Sequence, residues 1–207
     1  YNKLLFLKFI VLLLLTNNVF AQTKQIKQID SLMKWSNQIG IFNGNVLVSK
    51  NNKIIYNASF GFTDATKTNK LTTDYRFNIG SITKEFSAVA LMQLREQGKL
   101  QLNDKVSKFI PELPKWANEV KIKDLLQYTS GIPNVNWKSI KNDKDLFDGL
   151  ILIDTLDFKS GTNYDYNNNN IFLRQFIVER LTKMSFKAYA EKFIFKPCKM
   201  DSAELTP

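Results

Sequence analysis

Two serines in this chain have a lysine three residues further on: Ser31 with Lys34, and Ser81 with Lys84. On a helix, that spacing puts both side chains on one face and within hydrogen-bonding reach. A serine held beside a lysine can carry acyl transfer without histidine. This matters because the sequence contains no His and one Cys. Ser-His-Asp and Cys-His mechanisms, His-ligated metals, intramolecular disulfides and Cys-cluster zinc sites are all excluded. Any general base must be Lys, Tyr, Asp or Glu. The spacing itself discriminates little: 12 Ser and 25 Lys in 207 residues give roughly 1.5 matches by chance.

Context separates the two pairs. Ser31 and Lys34 fall in the middle of a short helical pattern, where solvated polar residues are the ordinary reading. Ser81 follows Arg76-Phe77-Asn78-Ile79-Gly80 and opens a helix. There it lies beside unpaired backbone N–H groups and the positive end of the helix dipole, which can stabilise an alkoxide or oxyanion. A plain N-cap is the competing reading of the same serine. The triplet Tyr166-Asn167-Asn168 is a second candidate, with the phenol as proton shuttle and the Asn168 amide as a substrate hold. The competing reading is a polar turn before a helix. A free phenol titrates near pH ~10. Work as a base near neutrality therefore calls for a neighbouring cation, which a lysine supplies.

The elements that must position these residues follow from periodicity. Residues 22–39 carry Ile26, Ile29, Leu32, Met33 and Trp35 at helical spacing. Asn45–Lys50 and Lys53–Phe60 read as strands joined by a two-residue Asn51-Asn52 turn, a hairpin. Residues 81–97 predict a helix with Ile82, Phe86, Val89, Ala90 and Leu94 inward and Gly98 as its stop. Shorter helices are expected over 120–126 and 143–153, a turn over Thr129–Pro133, and a helix over 168–184 burying Ile171, Phe172, Phe176, Ile177 and Leu181. A last helical stretch covers 186–195.

Residues 1–21 have the layout of a secretory signal peptide: Lys3, a short apolar run ending at Leu15, and Val19-Phe20-Ala21. The uninterrupted run Phe9–Leu15 is far below the ~20 residues of a spanning helix. Cleavage after Ala21 and a periplasmic or secreted location are expected, with no stable membrane span afterwards. The net charge of +10 comes from 25 Lys and only 4 Arg, scattered rather than grouped. That argues against nucleic acid as a partner and leaves loose attraction to an anionic surface such as a bacterial wall.

Seven segments, in order, resemble the serine β-lactamase-related family, the branch of class C β-lactamases, D-alanyl-D-alanine carboxypeptidases and related esterases. They are Phe42–Val48, Phe77–Phe86, Gly98–Val106, Phe109–Pro114, Ile122–Pro133, Gly161–Asn168 and Phe195–Met200. The resemblance implies an α/β, β-lactamase/transpeptidase-like fold: an antiparallel sheet flanked by helices, plus a helical region. It implies Ser81 as acylated nucleophile and oxyanion donor through its N–H, Lys84 as proton partner, Tyr166 as second acid/base group and Asn168 as substrate-amide ligand. The substrate class it implies is a β-lactam, a D-Ala-D-Ala peptide or an ester, with peptidoglycan stem peptides among them, and it calls for no cofactor or metal. A non-catalytic penicillin-recognising or peptide-binding sensor is the alternative. Ser160, Tyr128 and Asn167 depart from the family's usual Pro, His and Ser, and Cys198-Lys199 from its Leu-Gly. The family's third motif, a Lys/His-Thr/Ser-Gly strand, has no counterpart; Lys159-Ser160-Gly161 directly precedes Tyr166, in the wrong segment. The expectation is therefore that 22–207 is the N-terminal portion of such a domain, with its sheet incomplete and the isolated piece inactive.

Overall fold

The computed structural model describes residues 24–205. The predicted signal peptide, 1–21, lies outside them. The chain divides into two compact units between Phe77 and Asn78.

In the first unit, helix α1 covers residues 24–38. Strands β1 (Gly44–Lys50) and β2 (Lys53–Phe60) form an antiparallel hairpin. Asn51 and Asn52 have φ of 51° and 59°, the paired positive values of a type I′ turn, whose twist matches that of the strands. Asn tolerates this region better than most side chains. Val48 faces Tyr56 and Ser49 faces Ile54, so Ile55 is the extra residue of a bulge. Tyr56 donates its hydroxyl to Asp30 Oδ1 at 3.0 Å, tying β2 to α1. Helix α1 turns Ile26, Ile29, Met33 and Ser36 inward, a narrower stripe than expected. Leu32 and Trp35 were expected on that stripe but are more than half exposed. They sit on the flank of the Ile26–Ile29–Met33–Ser36 line.

The second unit opens with a 3₁₀ turn, Gly80–Thr83, that runs into α2 (Lys84–Glu96). Helices α3 (Ile122–Gln127), α4 (Asp143–Ile151), α5 (Asn169–Thr182) and α6 (Phe186–Ala190) follow, and α6 continues as a π-turn over Glu191–Phe195. Helix α5 is the central element, packed against α2, α3 and α6. Leu91, Leu94, Ile122, Leu125, Leu173 and Ile177 are fully buried around it. Helix α5 is covered on most of its circumference, so Asn169, Asn170 and Arg174 are buried along with its apolar residues.

Helix α2 buries Ser87, Ala90, Leu91 and Leu94. Ile82 and Val89, expected inward, are 65% and 41% exposed. The first turn is 3₁₀, with three residues per turn instead of 3.6, so the phase extrapolated from Phe86 and Ala90 back to Ile82 is wrong. Gly98, at φ 71°, ends the helix, and the Lys99 N–H reaches back to the Leu94 carbonyl at 3.0 Å. Among the described residues no helix is long and apolar enough to cross a membrane.

Candidate active site

Ser81 is placed by a sharp turn. Gly80 takes φ 51°, and its N–H donates to Asn78 Oδ1 at 2.8 Å. A side chain at 80 would strain that backbone, so glycine fits there. The turn delivers Ser81 to the N-terminal end of α2, beside the positive end of the helix dipole. Its hydroxyl makes no capping bond to the backbone; Ile79 and Thr83 occupy the cap positions. Instead Ser81 Oγ accepts a hydrogen bond from Lys84 Nζ at 2.8 Å. The N-cap reading is thereby replaced by a Ser–Lys pair.

The other Ser-x-x-Lys match does not form such a pair. Lys34 turns away from Ser31 to Asp30, with Nζ and Oδ2 2.7 Å apart.

Tyr166 is brought in by a loop laced to the end of α3. The Asp165 N–H donates to the Tyr128 carbonyl at 2.9 Å, Gly161 to Thr129 at 2.7 Å, and Asp157 to Gly131 at 2.8 Å. Gly131 is required at this crossing: its φ is 75°, and a Cβ would lie 2.2 Å from the Phe158 carbonyl oxygen. Asp124 braces the same junction, accepting from the Lys121 N–H and from the Ser160 hydroxyl, both at 2.9 Å. So laced, Tyr166 lies beside the Ser81–Lys84 pair, close enough for both to act on its phenol. Its pKa is lowered, first by the hydrogen bond with Ser81 and next by that with Lys84, against a smaller opposing effect of desolvation. The charges of Lys84 and Arg174 add in the same sense. Lys84 Nζ lies 5.4 Å from the centre of the phenol ring.

Of the four residues singled out from the sequence, three therefore meet: Ser81, Lys84 and Tyr166. Asn168 is exposed, two residues past Tyr166 at the N-cap of α5, and its side chain makes no capping bond. The neighbouring Asn167 does the local structural work. Its amide donates to the Ile132 carbonyl at 2.6 Å, and its Oδ1 accepts from the Asn169 N–H at 2.8 Å.

Two residues of this region were not selected from the sequence. The Tyr128 ring stacks on that of Tyr166, with centres 5.1 Å apart and planes inclined by 25°. Arg174 lies under Tyr128, its guanidinium carbon 4.7 Å from the ring centre. The available signals were an aromatic in the place of a usual histidine, and an arginine inside a stretch that otherwise reads as core.

A profile of the β-lactamase family matches residues 25–207. The chain belongs to the β-lactamase family. It is 33% identical over 184 residues to the protein flp of Staphylococcus aureus (strain MRSA252), a match covering 84% of this chain and 37% of that protein. It is 30% identical to penicillin-binding protein 4* of Bacillus subtilis (strain 168), covering 86% of this chain and 41% of that one. A crystal structure of a class C β-lactamase superposes with a TM-score of 0.77 at 25% identity, over 86% of this chain and 50% of the other. The chain thus has the β-lactamase/transpeptidase-like fold, here as helices and a two-stranded antiparallel sheet. It spans about two fifths of the length of the curated relatives it matches.

Proposed function

We propose that this protein, within the length of its relatives, is an exported serine hydrolase that works through a Ser81 acyl-enzyme on a β-lactam, a D-Ala-D-Ala peptide or an ester. The observation that carries the reading is the convergence of Lys84 Nζ and the Tyr166 phenol on Ser81 Oγ. Membership of the β-lactamase family supports it at the level of a hydrolase or penicillin-binding role.

Each step then has a residue. Lys84 already donates to Ser81 Oγ, so its positive end holds the nucleophile and favours the phenolate of Tyr166. Tyr166 takes the hydroxyl proton as Oγ bonds to the acyl carbon. The carbonyl electron pair moves onto oxygen, beside the Ser81 N–H and the dipole of α2. When the bond to the leaving nitrogen or oxygen breaks, Tyr166 returns the proton to that atom. Water then attacks the ester, losing a proton to Tyr166; the bond between the acyl carbon and Oγ breaks, the acid leaves, and Tyr166 returns the proton to Ser81 Oγ. Asn168, exposed beside the group, is the substrate-amide ligand in this scheme.

Full-length protein mixed with a chromogenic cephalosporin or a p-nitrophenyl ester tests the proposal. A burst equal to the enzyme concentration, followed by steady turnover lost in Ser81→Ala, is the expected result. A burst without turnover points to the penicillin-recognising sensor instead. Turnover surviving Ser81→Ala overturns the assignment.

A further inference from the structure

We propose that Arg174 and Tyr128 are positioning residues for Tyr166: the buried guanidinium, seated under the Tyr128 ring, holds the stacked phenol in place against Ser81 and Lys84. The proposal rests on the acyl-enzyme reading above.

Arg174 is only 2% exposed, which is rare for an arginine unless its charge is matched. Its hydrogen bonds go to neutral acceptors. Nε donates to the Leu125 carbonyl at 3.0 Å, and one terminal nitrogen donates to the Leu125 and Leu126 carbonyls. These carbonyls belong to the end of α3, where helix acceptors lack intrahelical donors. The bonds fix the guanidinium without cancelling its charge. Arg180, on the same helix, instead pairs with Glu112 at 2.8 Å on the surface. An apolar side chain would avoid the cost of burying a cation but would leave these carbonyls without their donors. Beyond those bonds, the cation makes a contact with Tyr128, a cation–π approach at 4.7 Å.

Tyr128 is itself held unusually. It caps α3 in the left-handed region, at φ 58° and ψ 36°, which is unfavourable for a residue with a bulky side chain. That conformation turns its ring between Arg174 on one side and Tyr166 on the other. Its carbonyl accepts from the Asp165 N–H, so the residue next to Tyr166 is pinned by the same tyrosine.

The groups facing the phenol are Ser81 and Lys84 from the start of α2, Tyr128 from the end of α3 and Arg174 from α5. Glu85 acts on Arg174, and Tyr164 lies 6.1 Å from Tyr128 ring to ring. A cation on the far side of Tyr128 favours phenolate. Removing it moves the phenol titration, and with it the acidic limb of the acylation rate, to higher pH.

The test uses full-length protein with carbon-13-labelled tyrosine, the Tyr166 signal being assigned by Tyr166→Phe. Arg174→Met and Tyr128→Leu should both move the Tyr166 titration to higher pH. Acylation by a fluorescent penicillin at neutral pH should slow roughly tenfold, a fraction of the 10²–10⁴-fold that a positioned general base contributes. Tyr128→Phe keeps the stack and should recover the rate lost in Tyr128→Leu. A folded Arg174→Met or Tyr128→Leu protein with unmoved titration and unmoved pH limb overturns the proposal. Should Arg174→Met fail to fold, Tyr128→Leu decides, because it leaves the carbonyl bonds of Arg174 in place. The titration is read without any reaction. It therefore judges the stack even if labelling survives Ser81→Ala, an outcome that would refute the acyl-enzyme reading alone.

Discussion

Replacing Lys84 by alanine removes two interactions at once under the proposed mechanism. The first is the 2.8 Å hydrogen bond to Ser81 Oγ, which aims the nucleophile. The second is the cation near the Tyr166 phenol, 5.4 Å from its ring centre. That cation lowers the phenol's pKa in the intact site, so its loss raises the pKa and leaves less base at neutral pH. A positioned acid–base group contributes roughly 10²–10⁴-fold to rate, and Lys84→Ala should cost acylation within that range. Only a half-buried side chain at the first turn of α2 is lost, so the fold should be unchanged by circular dichroism. The assay is the second-order rate of labelling by a fluorescent penicillin or fluorophosphonate from acid to alkaline pH, in full-length protein. Activity should recover partly at high pH, where the phenol ionises unaided. A loss of less than about threefold, well under the range for a general base, would make Lys84 a solvated helix charge and refute the reasoning.

Leu94 is fully buried where α2 meets the core, so Leu94→Ala should destabilise the fold by about 2–5 kcal/mol in urea titrations. Asn167→Ala leaves the Ile132 carbonyl and the Asn169 N–H without their partners; a loss of about 1–3 kcal/mol is expected, read as an unfolding midpoint at lower denaturant. Mass spectrometry of exported protein should find Gln22 at the N-terminus, and an intact leader in a membrane fraction would speak for an anchor instead.

How much of this was legible in the sequence differs from element to element. The hairpin could be read because Asn51-Asn52 is turn chemistry as well as pattern. The helix over 84–96 and its Gly98 stop could be read because periodicity and a C-terminal glycine coincide. Its inward face was misjudged at Ile82 because a 3₁₀ turn changes the phase, and no residue type announces that turn. Within the site, Ser81, Lys84 and Tyr166 were visible as motifs. Their convergence depends on loop bonds between 128–131 and 157–165 that lie far apart in the chain. Arg174 was hidden for a different reason. A lone arginine among Leu173, Phe176 and Ile177 looks like a flank residue until α3 closes over it and supplies acceptors.

The central claim is that Ser81 becomes covalently acylated. Full-length protein treated with a penicillin or a fluorophosphonate, digested and mapped by mass spectrometry, tests it directly. The account predicts one adduct, on the peptide containing Ser81, absent in Ser81→Ala and never on the peptide containing Ser31. An adduct on another residue, or one that persists in Ser81→Ala, would contradict it.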